Sequence, residues 1–311
     1  MRIRLFLPLL ILSIVPLVIA SIGDSSPDYQ NCVAYCRHNT CGSNPPLPLS
    51  LRLTGWTCAS NCGYNCMRTI TQEAMERGDP IVQYHGKWPF VRVLGVQEPA
   101  SVIFSLLNGW VHYKHWKVLS RLPDSLPIKK FLLGNVIVGL NTWLWSSVFH
   151  TRDTSLTEKL DYFSAGFGIL YGLYLALLRV FGVNRLVLFG GGFVLLSMFI
   201  AHVSYLSFWR FDYSYNMAAS VAVGVVHNFV WSIWATWAIS HGRKYAWRSI
   251  LCFLLITVAM SLELLDFPPI WEVFDAHSLW HAATIFITPI WYRFLLLDAK
   301  YEASLKGKMK Q

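Results

Sequence analysis

Seven long apolar runs follow residue 97, at roughly 99–116, 130–150, 161–181, 185–206, 215–240, 246–266 and 275–297. About 20 apolar residues suffice to carry a helix across a bilayer. The runs therefore predict an all-α membrane protein, a seven-transmembrane helix bundle. Composition agrees: 54% of residues are hydrophobic, 15% aromatic and only 14% charged, against about a quarter charged in soluble domains. Fourteen Trp and fourteen Tyr suit membrane interfaces, where an aromatic ring keeps one end wet.

The formal net charge of +9 invites a nucleic-acid reading, which its distribution excludes. One set of connections carries Lys114, Lys117, Arg121, Lys129, Lys130, Arg179, Arg185, Arg243, Lys244, Arg248, Arg293, Lys300, Lys306, Lys308 and Lys310 against Asp124, Asp298 and Glu302. The alternate set carries Asp153, Glu158, Asp161, Asp212, Glu263, Asp266, Glu272 and Asp275 against Arg152, Lys159 and Arg210. Lys and Arg concentrate on the cytoplasmic side of a membrane, so the amino terminus is expected in the lumen and the tail, 301–311, in the cytosol. The amino terminus agrees independently. Arg2 and Arg4 precede a short apolar run that ends in Val18-Ile19-Ala20, the pattern of a cleavable signal peptide over 1–20.

Residues 21–97 would then form a lumenal segment. It holds Cys32, Cys36, Cys41, Cys58, Cys62 and Cys66, six of the seven cysteines. An even count in a translocated segment implies up to three disulfides, with fifteen possible connectivities. The spacing Cys58-x3-Cys62-x3-Cys66 also puts three thiols on one face of any helix there, so a zinc site is the alternative. Cys252, inside an apolar run, reads as inert core.

Chemistry collects at the lumenal ends of the spans in residues 98–300. His277 and His281 share a helix face at i, i+4, and His150 closes the second run at the same depth and side. Three neutral imidazoles with an open fourth position are how catalytic zinc acidifies a bound water to a pKa near ~7. Ser146 shares the face of His150, in a stripe Asn135, Gly139, Thr142, Ser146, His150 that should face the bundle interior. Asp161 starts the third run at the same level, placed to hold a proton or to orient a ligand histidine. Plainer readings compete: Asp161 as a helix N-cap, Ser146 as packing glue, and Asp153 or Ser147 in their places. His227, beside Asn228, reads as an interhelical hydrogen-bonding group.

Three strings, Gln83-Tyr84-His85-Gly86-Lys87-Trp88-Pro89-Phe90, Gln97-Glu98-Pro99-Ala100-Ser101 and Leu264-Leu265-Asp266-Phe267-Pro268-Pro269, together with the cysteine set, resemble the post-GPI attachment to proteins factor 3 family. The resemblance covers essentially the whole mature chain. The family is regarded as GPI-specific phospholipase A2-like, within a superfamily that includes alkaline ceramidases and adiponectin/progestin receptor-like proteins. That superfamily shares a Ser four residues before a His, an Asp eleven after it and a final His-x3-His. The pattern falls here on Ser146, His150, Asp161, His277 and His281, and prefers Ser146 over Ser147 and Asp161 over Asp153.

The resemblance implies a zinc-dependent hydrolase that removes the sn-2 fatty acid from the lipid of GPI anchors, with GPI-anchored proteins as substrates. His150, His277 and His281 would hold zinc; Ser146 and Asp161 would be catalytic. A ceramidase-like amidase and a non-enzymatic seven-span receptor with structural zinc are the alternatives. A haem protein is disfavoured because the three histidines lie at one face. The tail, Lys308-Met309-Lys310-Gln311, departs from the dilysine retrieval pattern, which leaves the Golgi membrane as the expected residence and the endoplasmic reticulum as the alternative. A tag after Gln311 should be cytosolic and one after Ser21 lumenal. Protease protection of the carboxy-terminal tag in sealed microsomes would overturn the orientation.

Overall fold

A computed structural model describes residues 22–42 and 46–308; the signal-peptide expectation for 1–20 lies outside the described residues. Two long helices dominate the cysteine-rich segment, α1 (Pro27–Cys41) and α2 (Cys58–Arg77), with short turns of helix at Ile22–Ser25 and Leu49–Leu53. Ser26 caps α1, accepting from the Tyr29 N–H at 3.3 Å, with Pro27 in the first turn. Thr57 and Ser60 cap α2 reciprocally, and Gly78 ends it at φ +73°, a left-handed stop that glycine adopts without strain.

Cysteines at near-helical spacing on two antiparallel helices leave one matching in register, and the structure has it: Cys32–Cys66, Cys36–Cys62 and Cys41–Cys58. All six sulfurs are thereby bonded, so the alternative of a zinc site on Cys58, Cys62 and Cys66 is overturned. Tyr29, Val33, Cys66 and Tyr84 form the small core beneath the bridges. Cys252 is free and buried.

Seven long helices follow: α3 (Pro99–Leu119), α4 (Lys129–Thr151), α5 (Ser155–Val180), α6 (Leu186–Trp209), α7 (Tyr213–Ser240), α8 (Trp247–Leu264) and α9 (Ala276–Lys308). Among the described residues six stretches, α4 to α7, Lys244–Glu263 and Ala276–Leu305, are long and apolar enough to cross a membrane. Helix α3 is not among them, because His112, Lys114, His115 and Lys117 interrupt its second half. It is nevertheless built into the bundle. Contacts run α3 to α4 to α5 to α7 to α8 to α9, and α9 closes the ring on α3, while α6 lies outside against α5. Helix α6 is π-helical at both ends, over Leu186–Gly191 and Tyr205–Trp209.

Several helix ends differ from the apolar runs. Thr154 and Thr157 form a capping box that starts α5 at Ser155, so Asp161 lies inside the helix. That overturns its reading as an N-cap and as the first residue of the span. Helix α9 continues to Lys308, through most of the segment expected as a tail.

The two ends of the ring differ in chemistry. At the basic end, Leu119, Leu132, Val136, Leu175, Trp231 and Phe294 belong to the main apolar core. Arg179 there binds Asp298 at 2.9 Å and Glu302 at 2.8 Å, and Arg243 reaches Glu302 at 3.2 Å. At the acidic end the cysteine-rich segment docks on the α8–α9 connection. Arg68 pairs with Glu272 at 2.6 Å, while Gln83 and Trp88 donate to Asp266 at 2.8 and 2.6 Å.

Peptide mapping without reductant should recover Cys32–Cys66, Cys36–Cys62 and Cys41–Cys58, and any other linkage would refute the antiparallel register. Replacing Cys36 and Cys62 together by Ser should lower the stability of this segment by about 2–5 kcal/mol, read from its unfolding in a denaturant titration.

Candidate metal centre

Three histidines meet at the acidic end of the ring. His150 closes α4, where the helix finishes one residue later. His277 and His281 occupy the first turns of α9, which Asp275 and Ser278 start by reciprocal capping. The Ser278 N–H donates to Asp275 Oδ1 at 2.9 Å, and the Asp275 N–H to Ser278 Oγ at 3.0 Å. One ring nitrogen of each histidine lies within 4.8 Å of those of the others. His150 and His281 are buried.

Each imidazole is held through Nδ1 by a group on a neighbouring element. His150 Nδ1 lies 2.6 Å from Glu98 Oε2, His277 Nδ1 2.8 Å from Glu263 Oε2, and His281 Nδ1 2.9 Å from Ser105 Oγ. Carboxylates accept, so the Nδ1–H of His150 and of His277 donates and each Nε2 carries a lone pair. Nε2 of His150 is buried without a hydrogen-bond partner among the described residues. Nε2 of His277 and Nε2 of His281 face each other at 3.0 Å. Two tetrahedral zinc ligands at 2.0–2.1 Å from the ion stand roughly 3.3 Å apart. Three converging imidazole nitrogens whose far nitrogens are tied match a cation site of the carboxylate–histidine kind. The donor set fits zinc.

The other expected residues surround this point. Ser146 is buried, and its Oγ lies 2.9 Å from Ser105 Oγ, the same oxygen that holds His281. Ser147 instead donates back to Trp143 O at 2.8 Å on its own helix. Asp161 is half-buried, has no side-chain hydrogen bond or ion pair among the described residues, and lies in the electrostatic field of His150 and His277. Asp153 is taken up by Lys87 at 3.1 Å. The stripe below His150 faces inward: Thr142 donates to Ser164 O at 3.0 Å, and a side chain at Gly139 would lie 2.1 Å from the His112 ring. His227 does not make the expected interhelical hydrogen bond: its Nδ1 lies 3.1 Å from Asn228 Oδ1 on its own helix, and its Nε2 is buried without a partner among the described residues.

Four residues at the centre were not assigned roles from sequence. Glu98 is buried, and its N–H donates to His150 O at 3.0 Å. Lys87 pairs with its Oε1. Burial pulls the Lys87 ammonium down, but Glu98 and Asp153 outweigh it and hold its pKa above the ordinary lysine value. Glu263 was read only as loop charge. Ser105 belongs to a polar face of α3, Ser101, Ser105, Asn108 and His112, whose helical spacing was the available signal.

The chain has close relatives. The Per1-like family pattern matches residues 48–299. A protein of Schizosaccharomyces pombe named Protein PER1 homolog is 45% identical, over 96% of this chain and 93% of its own length. Proteins named GPI-specific phospholipase A2-like PGAP3 are 42% identical in Xenopus laevis, over 94% of this chain and 95% of that one, and 40% identical in Homo sapiens, over 90% of each. With so long a match and such identity across nearly the whole sequence, the chain belongs to the Per1-like family.

Proposed function

We propose that this protein is a zinc-dependent membrane hydrolase that removes the sn-2 fatty acid from the lipid of GPI anchors. The observation that carries the proposal is the convergence of three tethered imidazoles beside Ser146 and an unpaired Asp161. The names of the relatives supply the substrate class.

His150, His277 and His281 would hold zinc, which when bound supplies Lewis acidity and makes water nucleophilic near neutral pH. Asp161 would accept a proton from the water whose oxygen adds to the acyl carbon, and would return it to the departing glycerol oxygen. The acyl carbon–oxygen bond breaks, giving a free fatty acid and a lyso-GPI protein. A proton order follows for the serines. If His281 Nδ1–H donates to Ser105 Oγ and the Ser105 hydroxyl donates to Ser146 Oγ, then the Ser146 hydroxyl is left to donate. Its natural acceptor is the acyl carbonyl oxygen as negative charge develops there.

The cysteine-rich segment over the site favours a lipid with a large extramembrane part, a GPI-anchored protein rather than ceramide. We place α3 in the membrane as a seventh span, the 98–300 bundle as the hydrolase domain and the centre at the lumenal face, where GPI glycans lie. The charge asymmetry of the loops supports that orientation, and a Golgi membrane is the proposed residence.

His150→Ala, His277→Ala and His281→Ala should each lose zinc and fatty-acid release together. Ser146→Ala should keep zinc while turnover falls by roughly 10²–10³-fold, about 2.7–4 kcal/mol. Asp161→Asn should keep most of the metal and lose turnover. Zinc per mole of purified protein, measured beside fatty-acid release from a GPI lipid, checks all five. Histidine variants that retain both would move the site elsewhere, and a fully active Ser146→Ala would remove its assigned role.

A further inference from the structure

The cysteine-rich segment and the histidine centre meet at one side chain. Lys87 Nζ contacts Glu98 Oε1, lies 3.1 Å from Asp153 Oδ2 and stands 4.1 Å from the centroid of the Phe149 ring. Phe149 packs in turn on His150, centroid to centroid at 5.0 Å. One ammonium thus grips three groups around the ligand His150: the carboxylate that holds its Nδ1, the ring before it and an acid just past the end of its helix.

The grip is rigid at its base. Tyr84 and Lys87 close a two-residue turn, with hydrogen bonds of 2.8 Å from the Tyr84 N–H to Lys87 O and 3.0 Å from the Lys87 N–H to Tyr84 O. Its central residues, His85 and Gly86, have φ +51° and +76°, as tight hairpin turns of the primed type require. Tyr84 is buried in the disulfide-linked core with Tyr29, Val33 and Cys66. A continuous path of packed groups therefore runs from the disulfides through Tyr84 and the turn to Lys87, Glu98 and His150.

We propose that Lys87 is a positioning residue for His150, so that the cysteine-rich segment is part of the metal centre and not only a cover over it. The proposal rests on the reading of the three histidines as zinc ligands. Glu98 has two carboxylate oxygens and little room. Oε2 takes the His150 Nδ1–H and Oε1 takes Lys87, which fixes the rotation of the carboxylate and with it the imidazole plane. Without the ammonium, Glu98 and Asp153 would confront each other as like charges, and Glu98 would turn from His150. A residue that merely glues the segment down would loosen the whole site equally, with or without Glu98.

The test is zinc affinity of the full-length purified protein, by competition with a chelating dye, for wild type, Lys87→Met, Glu98→Gln and the double variant. Lys87→Met should weaken zinc binding by about tenfold, the lower end of the ~10–100-fold loss usual when a partner of a metal ligand is removed. It should weaken binding no further in the Glu98→Gln background, the signature of two residues acting in series. Asp153→Asn, which leaves Lys87 on Glu98, should keep wild-type affinity. Lys87→Gln replaces Lys87→Met in the same cycle should the latter fail to fold. Equal losses in both backgrounds, an unchanged Lys87→Met, or a loss in Asp153→Asn as large as that in Lys87→Met would each overturn the positioning role. Wild-type protein that binds no zinc would overturn the metal reading itself, a distinct result.

Discussion

Two imidazole nitrogens, Nε2 of His277 and Nε2 of His281, face each other at 3.0 Å, and Nε2 of the buried His150 has no hydrogen-bond partner among the described residues. Lone pairs so arranged repel unless a cation or a shared proton sits among them, and the groups on the far nitrogens are what force the arrangement. Each of those groups belongs to a neighbour of the helix that carries its histidine. Glu98, at the start of α3, holds His150 on α4; Ser105 on α3 holds His281 on α9; Glu263 on α8 holds His277 on α9. The three tethers therefore join α3 to α4, α3 to α9 and α8 to α9, which are three of the contacts that close the ring. The site and the ring therefore share one geometry.

Polar groups inside a bundle are costly unless every one finds a partner, and the opposite end of the ring supplies the stability to tolerate them. The apolar core around Trp231, Phe294, Leu119 and Val136 lies there, and Arg179 and Arg243 clamp α5 and the α7–α8 turn to Asp298 and Glu302 on α9. Buried ion pairs are a poor source of net stability but a strong constraint on register. A register fixed at the basic end also fixes how high His277 and His281 stand on α9 relative to His150 on α4.

Much of this was legible in the sequence. Run length gave seven helices close to where they stand, and the i, i+4 pair with His150 at a matching depth gave the three histidines. Disulfide pairing was not legible, because choosing among the fifteen matchings requires knowing that α1 and α2 lie antiparallel side by side. The partners of the histidines were not legible for the same reason. Glu98 and His150 are 52 residues apart in the chain, and Ser105 and His281 are 176 apart. Nothing in the local pattern says that α9 returns to α3. Asp161 was misplaced at a helix start because hydrophobicity begins there. The first turns of α5 are polar and amphipathic, and Thr154, not the apolar run, decides where the helix begins.

The unequal choice of tethers has a chemical consequence. A carboxylate accepting Nδ1–H makes its imidazole a stronger donor, and a hydroxyl does so less. Glu98, shared with Lys87, and Glu263 would each set negative charge beside a cation held by the three imidazoles, while Ser105 adds none. Asp161, beside the histidines, has no side-chain partner among the described residues, as the proposed proton acceptor requires. A third carboxylate at position 105 would oppose ionisation of Asp161 and would remove the hydroxyl that connects His281 to Ser146. Ser105 is the one of the three tethers that also touches Ser146, so it joins His281 to the serine proposed to act on the acyl carbonyl.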